Sequence, residues 1–225
     1  MTEPAVRVYV VRHGETRENR EEIIQGQMDT DLNDVGLRQV GRVADALRST
    51  VHFDAAYSSD LKRAFQTGEM ILAHREDIQI RAEQDLRERC FGDLEGQKRG
   101  ADFKAALALS TTAESADAFS ARAVGWWKKA ILQRTLGMPA QAEAYNVLVT
   151  SHGAFIATLL HGLVGSGKVK CGPGVEIGRV PNTSVTIVEV ERDGLGTVVQ
   201  FGDYGHLTRK MEGEMVDNVD QVGSV

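Results

Sequence analysis

The sequence predicts a three-layer α/β/α fold around a mostly parallel central sheet, and three observations carry that expectation. Short apolar runs rich in β-branched residues alternate with longer stretches of helical spacing, the pattern of successive βα units. Two of the runs end in the same junction, His13-Gly14 and His152-Gly153, and polar loops beyond the carboxyl ends of parallel strands are where such sheets bind ligands. The 225 residues, 42% of them hydrophobic, suffice for one full core.

Taken in order, residues 6–11 form the first predicted strand, since valine and tyrosine favour a pleated, buried surface. After a polar loop, Asn33 is placed to cap a helix on which Val40, Val43, Ala44 and Leu47 recur at helical spacing. Residues 55–58 make a second strand, and Leu61, Ala64, Phe65, Gly68, Ile71 and Leu72 mark one face of a second helix. Residues 78–81 read as a brief edge strand and 86–100 as a charged, glycine-punctuated loop. A long helix over 116–136 carries Phe119, Ala123, Trp126, Trp127, Ala130 and Ile131 on one side, and its tryptophans read as core packing rather than a sugar platform. Residues 145–150 form the next strand, 154–164 a helix, 163–178 a Gly-rich loop, and 183–190 with 197–201 a hairpin. A single domain over 1–210 is expected, followed by an acidic, mobile tail over 211–225.

Charge and cysteine content exclude several classes. A formal net charge of −6 and a pI near 5.6 leave nothing to neutralise phosphates broadly, so no nucleic-acid or anionic-membrane partner is expected and any phosphate recognition must be local. Cys90 and Cys171 stand far apart in no C-x-x-C arrangement, which fits a reducing compartment better than a disulfide framework. Residues 1–4 lack the basic flank and apolar core of a secretion signal, and no apolar run approaches membrane-spanning length. A cytoplasmic address is the expectation.

The strongest local signal is Arg12-His13-Gly14-Glu15-Thr16 directly after a strand: an imidazole beside a guanidinium on a turn that glycine permits. An isolated Arg-His-Gly is more often structural than catalytic. Arg63 and His152 change the balance, because each also lies at or just beyond a strand's carboxyl end, where loops converge on one crevice. Two arginines can offer planar forks to phosphate oxygens, while two imidazoles attack and hydrogen-bond.

Competing motifs fail. Residues 162–168 mimic a phosphate-binding G-x-x-x-x-G-K loop, but Val169 stands where Ser or Thr must bind Mg²⁺ and a helix precedes it. Residues 29–33 begin like a calcium loop, but Asp34 replaces the turn glycine and Val40 the bidentate Glu, so they read as turn and helix cap. Gly96 and Ile177 occupy the places after Cys90 and Cys171 where a cysteine phosphatase needs arginine. His52, His74, His161 and His206 show no zinc-hydrolase pairing, so no metal and no cofactor is assigned. Lys98, Arg99 and Lys104 could hold a second anionic group, but a solvated face is the preferred reading.

Four separated motifs in order resemble the histidine phosphatase superfamily, also called phosphoglycerate mutase-like. They are Arg12-His13-Gly14-Glu15-Thr16; Ser58-Ser59-Asp60-Leu61-Lys62-Arg63-Ala64; Leu86-Arg87-Glu88-Arg89 with Phe91-Gly92 and Glu95-Gly96; and Ser151-His152-Gly153. Ile23-Ile24-Gln25-Gly26-Gln27 is especially similar to TIGAR-type fructose-2,6-bisphosphatases. The resemblance implies that His13 is phosphorylated, that Arg12, Arg63 and His152 hold the phosphoryl group, and that Glu88 is the proton donor. It also places Asn19 and Gln25 near the phosphate and Ser59 near Arg63. These roles suit the chemistry: phosphoryl transfer depends on positioning and on neutralising charge, which guanidiniums do without Mg²⁺. Glu88 must be protonated to serve the departing alkoxide, and a nearby phosphate dianion favours that form. The resembled mutases carry Tyr at Phe91, Asn at Ala154 and a longer basic insert. Hydrolysis of a small phosphorylated metabolite, such as fructose 2,6-bisphosphate, is therefore expected over mutase activity. A non-catalytic phosphate-binding or scaffold protein is the alternative of a different class. Oligomeric state is not legible.

Overall fold

A computed structural model describes residues 4–137 and 143–208 of the 225-residue chain. β1 (Val6–Arg12) alternates its side chains between two apolar layers: Val6, Val8 and Val10 join one core cluster, and Tyr9 and Val11 the other. A strand buried on both faces must sit inside a three-layer fold, and β1 does.

After β1 come α1 (Arg17–Arg20) and α2 (Asp34–Arg48). Asn33 caps α2 as expected, its Oδ1 accepting from the Gly36 N–H at 2.8 Å. β2 (Ala55–Ser59) leads into α3 (Lys62–Ile71). The opening turn of α3 is capped from outside, where Asp29 Oδ1 accepts from the Lys62 N–H at 2.8 Å; the expected turn at 29–33 is thus also a clasp. β3 (Ile80–Glu83) follows, two residues later than expected but at a sheet edge as expected.

α4 (Phe103–Leu109) and α5 (Ala116–Trp127) come next, and α5 continues through a π-helical turn at Lys128–Leu132 into α6 (Gln133–Leu136). Trp126 and Trp127 are core residues, Trp126 meeting Tyr57 edge-on with centroids 5.7 Å apart. β4 (Tyr145–Ser151) runs into α7 (Gly153–Gly165), followed by β5 (Val169–Cys171), β6 (Val185–Val190), β7 (Gly196–Asp203) and α8 (Gly205–Thr208). The phosphate-loop mimic over 162–168 is the end of α7 and the turn into β5.

Among the described residues seven strands form one sheet, in the order β3-β2-β4-β1-β6-β7-β5. Only the β1–β6 and β6–β7 pairings are antiparallel, so the sheet is mostly parallel. α5 and α7 cover one face with Phe119, Trp126, Phe155 and Leu159. α2 and α3 supply Val43, Leu47 and Ile71 on the other. α1, α4, β5 and α8 were not anticipated. Each is seven residues or fewer, and α4 buries no residue, so neither length nor periodicity could announce them. The expected tail over 211–225 lies outside the described residues.

Candidate active site

Strand register builds the site. β1 and β4 run parallel with Arg12 paired to Ser151, so the residues that follow, His13 and His152, emerge side by side. The His13 N–H donates to the Ser151 carbonyl at 3.0 Å, and the imidazole centroids lie 5.1 Å apart. Ser58 pairs with Thr150 across β2 and β4, which brings Ser59 to the same sheet end. Gly14 is required by closeness: a Cβ there would lie 2.7 Å from the Gly36 carbonyl oxygen and 2.8 Å from Val40 Cγ2. The turn carrying His13 therefore sits directly on α2.

His13 Nδ1 lies 2.7 Å from the Gly14 carbonyl oxygen. A carbonyl only accepts, so Nδ1 carries the proton and Nε2 keeps its lone pair. Burial, then Arg63, then Arg12 hold the His13 imidazole well below its ordinary pKa; it is neutral at pH 7. His152, fully buried, is pushed the same way by burial, Arg63, His13, Arg12 and Arg122. Ser59 Oγ accepts from the Leu61 N–H at 3.3 Å and lies 2.8 Å from His152 Nε2. His152 Nδ1 is buried with no protein partner.

Arg63 is only 1% exposed. Its terminal nitrogens donate to the carbonyls of Met28 at 2.7 Å and Gly26 at 2.8 Å, and to Thr30 Oγ1 at 3.3 Å. Its Nε is buried without a protein partner. Burial lowers its pKa to about 10, with Arg12 adding and Glu88 opposing, so it stays charged. Gly26 has φ +50, and a Cβ there would strike the Glu95 carboxylate, so glycine is needed to aim this carbonyl. Arg12 donates to the Val180 carbonyl at 2.8 Å.

Glu88 Oε1 accepts from the Arg89 N–H at 2.9 Å, and Oε2 from the Ala154 N–H at 3.0 Å. The second bond sets the carboxyl group at the N-terminus of α7. Asn19 Oδ1 is engaged by the Thr16 N–H at 3.2 Å, closing a capping box with Thr16. Gln25 Oε1 accepts from Thr30 Oγ1 at 2.6 Å. Each arrangement leaves an amide nitrogen as a donor.

Arg12, His13, Asn19, Gln25, Arg63 and Glu88 line one cleft of about 610 Å³. His152 stands against His13. Ser59 is not among the residues lining the cleft; its Oγ lies against His152 Nε2.

Sequence reasoning missed two supporting residues. Asn182 Nδ2 donates to the His13 carbonyl at 3.0 Å and lies 3.4 Å from Asn19 Oδ1, tying the two together. Arg122 donates to the carbonyls of Asp85, Arg87 and Glu88 while paired with Glu114 at 2.7 Å, which anchors the loop that carries Glu88. The Pro181-Asn182 turn before β6 was a readable cue for the first. An arginine within an apolar helix offered none for the second.

Residues 8–203 match the family model described as the histidine phosphatase superfamily (branch 1). The chain is similar to a broad-specificity phosphatase of Saccharomyces cerevisiae, 32% identical over 90% of this chain and 87% of that protein. It is 46% identical to the fructose-2,6-bisphosphatase TIGAR of Xenopus tropicalis, over 39% of this chain and 33% of that protein. The crystal structure of a phosphoglycerate mutase from Bacillus anthracis superposes with a TM-score of 0.72 at 28% identity, covering 90% of this chain and 95% of that one. Among the described residues, no helix is long and apolar enough to cross a membrane.

Proposed function

Since the chain belongs to the histidine phosphatase superfamily, we propose that it is a phosphomonoesterase acting on a small phosphorylated metabolite through a phosphohistidine at His13. The observation that carries this reading is the fixed tautomer of His13. Its Nδ1 is bonded to the Gly14 carbonyl, so a neutral Nε2 lone pair remains, with two guanidiniums and a second imidazole close by.

In the first step Nε2 attacks phosphorus as the ester oxygen departs with a proton from Glu88. Arg12 and Arg63 neutralise the equatorial oxygens, with Arg63 Nε and His152 Nδ1 as donors. Glu88, now ionised, takes a proton from water as that water attacks phosphohistidine, which frees phosphate and restores His13. The guanidiniums do the charge neutralisation a metal would otherwise supply, so we assign no metal. Phe91 and Ala154 line the cleft where the resembled mutases carry Tyr and Asn, which favours water as the phosphoryl acceptor. A similarity to TIGAR over 39% of the chain leaves the substrate to be named by the cleft itself.

Hydrolysis of p-nitrophenyl phosphate should persist in the presence of a chelator, and alkaline quenching should trap an acid-labile phosphoprotein. No turnover together with no phosphoprotein would point to a phosphate-binding protein; loss on chelation would point to a metal enzyme. Because His13 is held neutral, the acid limb of kcat/KM, corrected for substrate ionisation, should fall below the ordinary imidazole value of 6.5. A limb at or above 6.5 would show that the nucleophile is not held in its neutral form. Glu88→Gln should slow phosphate release most for alcohols of high pKa, by about 10²- to 10⁴-fold, and far less for p-nitrophenol. Equal slowing of both would remove Glu88 from the acid role.

A further inference from the structure

The cleft is far larger than a phosphoryl group, and its outer end differs from its inner end. Beyond His13 it is lined by Ile23, Phe91, Ala101 and Phe103, with two charged residues of opposite sign, Glu22 and Arg99. The antiparallel bridge between Ile23 and Lys98 puts Glu22 opposite Arg99, and the Arg99 N–H donates to the Glu22 carbonyl at 2.8 Å. Opposed side chains of opposite charge ordinarily pair. These do not: among the described residues neither has an ion-pair partner.

Arg99 is held by something else. The Arg99 guanidinium lies over the Phe103 ring, 4.7 Å from its centroid. Phe103 in turn meets Phe91 edge-on at 5.5 Å, and Phe91 is fastened by its N–H to Glu95 Oε1 at 2.8 Å. Glu22 sits at φ +56, in the left-handed region, with its side chain exposed at the cleft. Arg63 already spends its fork on protein carbonyls, whereas Arg99 has a fork unspent. Lys98 and Lys104 do not line the cleft, so a second phosphate would meet one guanidinium and a repelling carboxylate.

We propose that the outer end of the cleft recognises a leaving alcohol bearing both an ammonium and a carboxylate, the ammonium at Glu22 and the carboxylate at Arg99. This deepens the phosphomonoesterase reading and rests on it. It also sets the substrate class apart from sugar bisphosphates, which carry two anionic groups and no cation.

Four probes separate the parts: O-phosphoserine carries both charges, 3-phosphoglycerate only the carboxylate, phosphoethanolamine only the ammonium, and p-nitrophenyl phosphate neither. The wild type should prefer O-phosphoserine to each of the others with a good match in leaving-group reactivity. With kcat/KM expressed relative to p-nitrophenyl phosphate, Arg99→Gln should lower the values for O-phosphoserine and 3-phosphoglycerate about fivefold and spare phosphoethanolamine, as exposed charge pairs allow. Glu22→Gln should lower O-phosphoserine and phosphoethanolamine and spare 3-phosphoglycerate. Ratios that neither variant moves, or that both move alike for all substrates, overturn the subsite while p-nitrophenyl phosphate turnover upholds the phosphatase. A wild type that hydrolyses none of the four overturns both.

Discussion

His13→Ala is expected to lower kcat for p-nitrophenyl phosphate by about 10⁴-fold or more, because it removes the atom proposed to form the covalent intermediate. The trapped phosphoprotein should vanish with it. Stability should hardly change at pH 7. The imidazole is neutral and its one protein bond, to the Gly14 carbonyl at 2.7 Å, is worth about 1 kcal/mol, or about 2–4 °C in thermal midpoint. The pH dependence carries a sign. A buried imidazole held below 6.5 stays unprotonated in the folded chain while the unfolded chain takes up a proton, so the wild type loses stability as pH falls below 6.5. His13→Ala should lose less between pH 6.5 and 5. Normal turnover in the variant would dismiss His13 as nucleophile. An unchanged acid sensitivity would dismiss the neutral, buried imidazole.

The second large effect is expected at Arg63, where structure and chemistry share one side chain. Arg63→Met keeps the volume but strips the donors from the carbonyls of Gly26 and Met28. Each buried acceptor left alone costs about 1–3 kcal/mol, so the thermal midpoint should drop by about 5–15 °C. kcat/KM should fall by about 10²- to 10³-fold or more at a temperature where the variant is still folded, since a charge facing the equatorial oxygens is lost. Arg63→Lys is the sharper control. It retains the charge but cannot span both carbonyls, so it should recover activity partly and stability little. A midpoint unmoved by Arg63→Met would mean the two carbonyls are satisfied by other donors. An unmoved kcat/KM would mean that Arg12 alone neutralises the phosphoryl group.

Much of this arrangement was legible in the chain because its signals are local. β1 and β4 announce themselves by short apolar runs, and α2, α3, α5 and α7 by helical spacing over ten residues or more. Asn33 before α2 obeys a preference set by the first turn's unpaired N–H groups. Ser59 shows the limit: its motif puts it at the strand end that bears the site, but not against the partner it takes there, His152. Which partner it takes depends on how β2 lies beside β4, and no local pattern encodes that. Arg122 is harder still, since its carbonyl partners lie more than thirty residues away along the chain. Arg99 was read as one charge of a solvated face. It remains exposed, and only Phe103 and the bridge to residue 23 turn it into a wall of the cleft.

By itself the amino-acid sequence determined which of the longer segments would be strands and helices, where the polar junctions after β1 and β4 would fall, and which side chains carry chemistry suited to a phosphoryl group. Those are properties of neighbours along the chain, governed by backbone periodicity and side-chain type. Tertiary structure alone decided that Arg12 would pair with Ser151 and so set two imidazoles 5.1 Å apart. It alone decided that Arg63 would spend its fork on distant carbonyls and that Glu22 and Arg99 would face one cleft unpaired. Register, burial and the proximity of charges arise only when remote segments exclude water together, and that is a property of the folded whole.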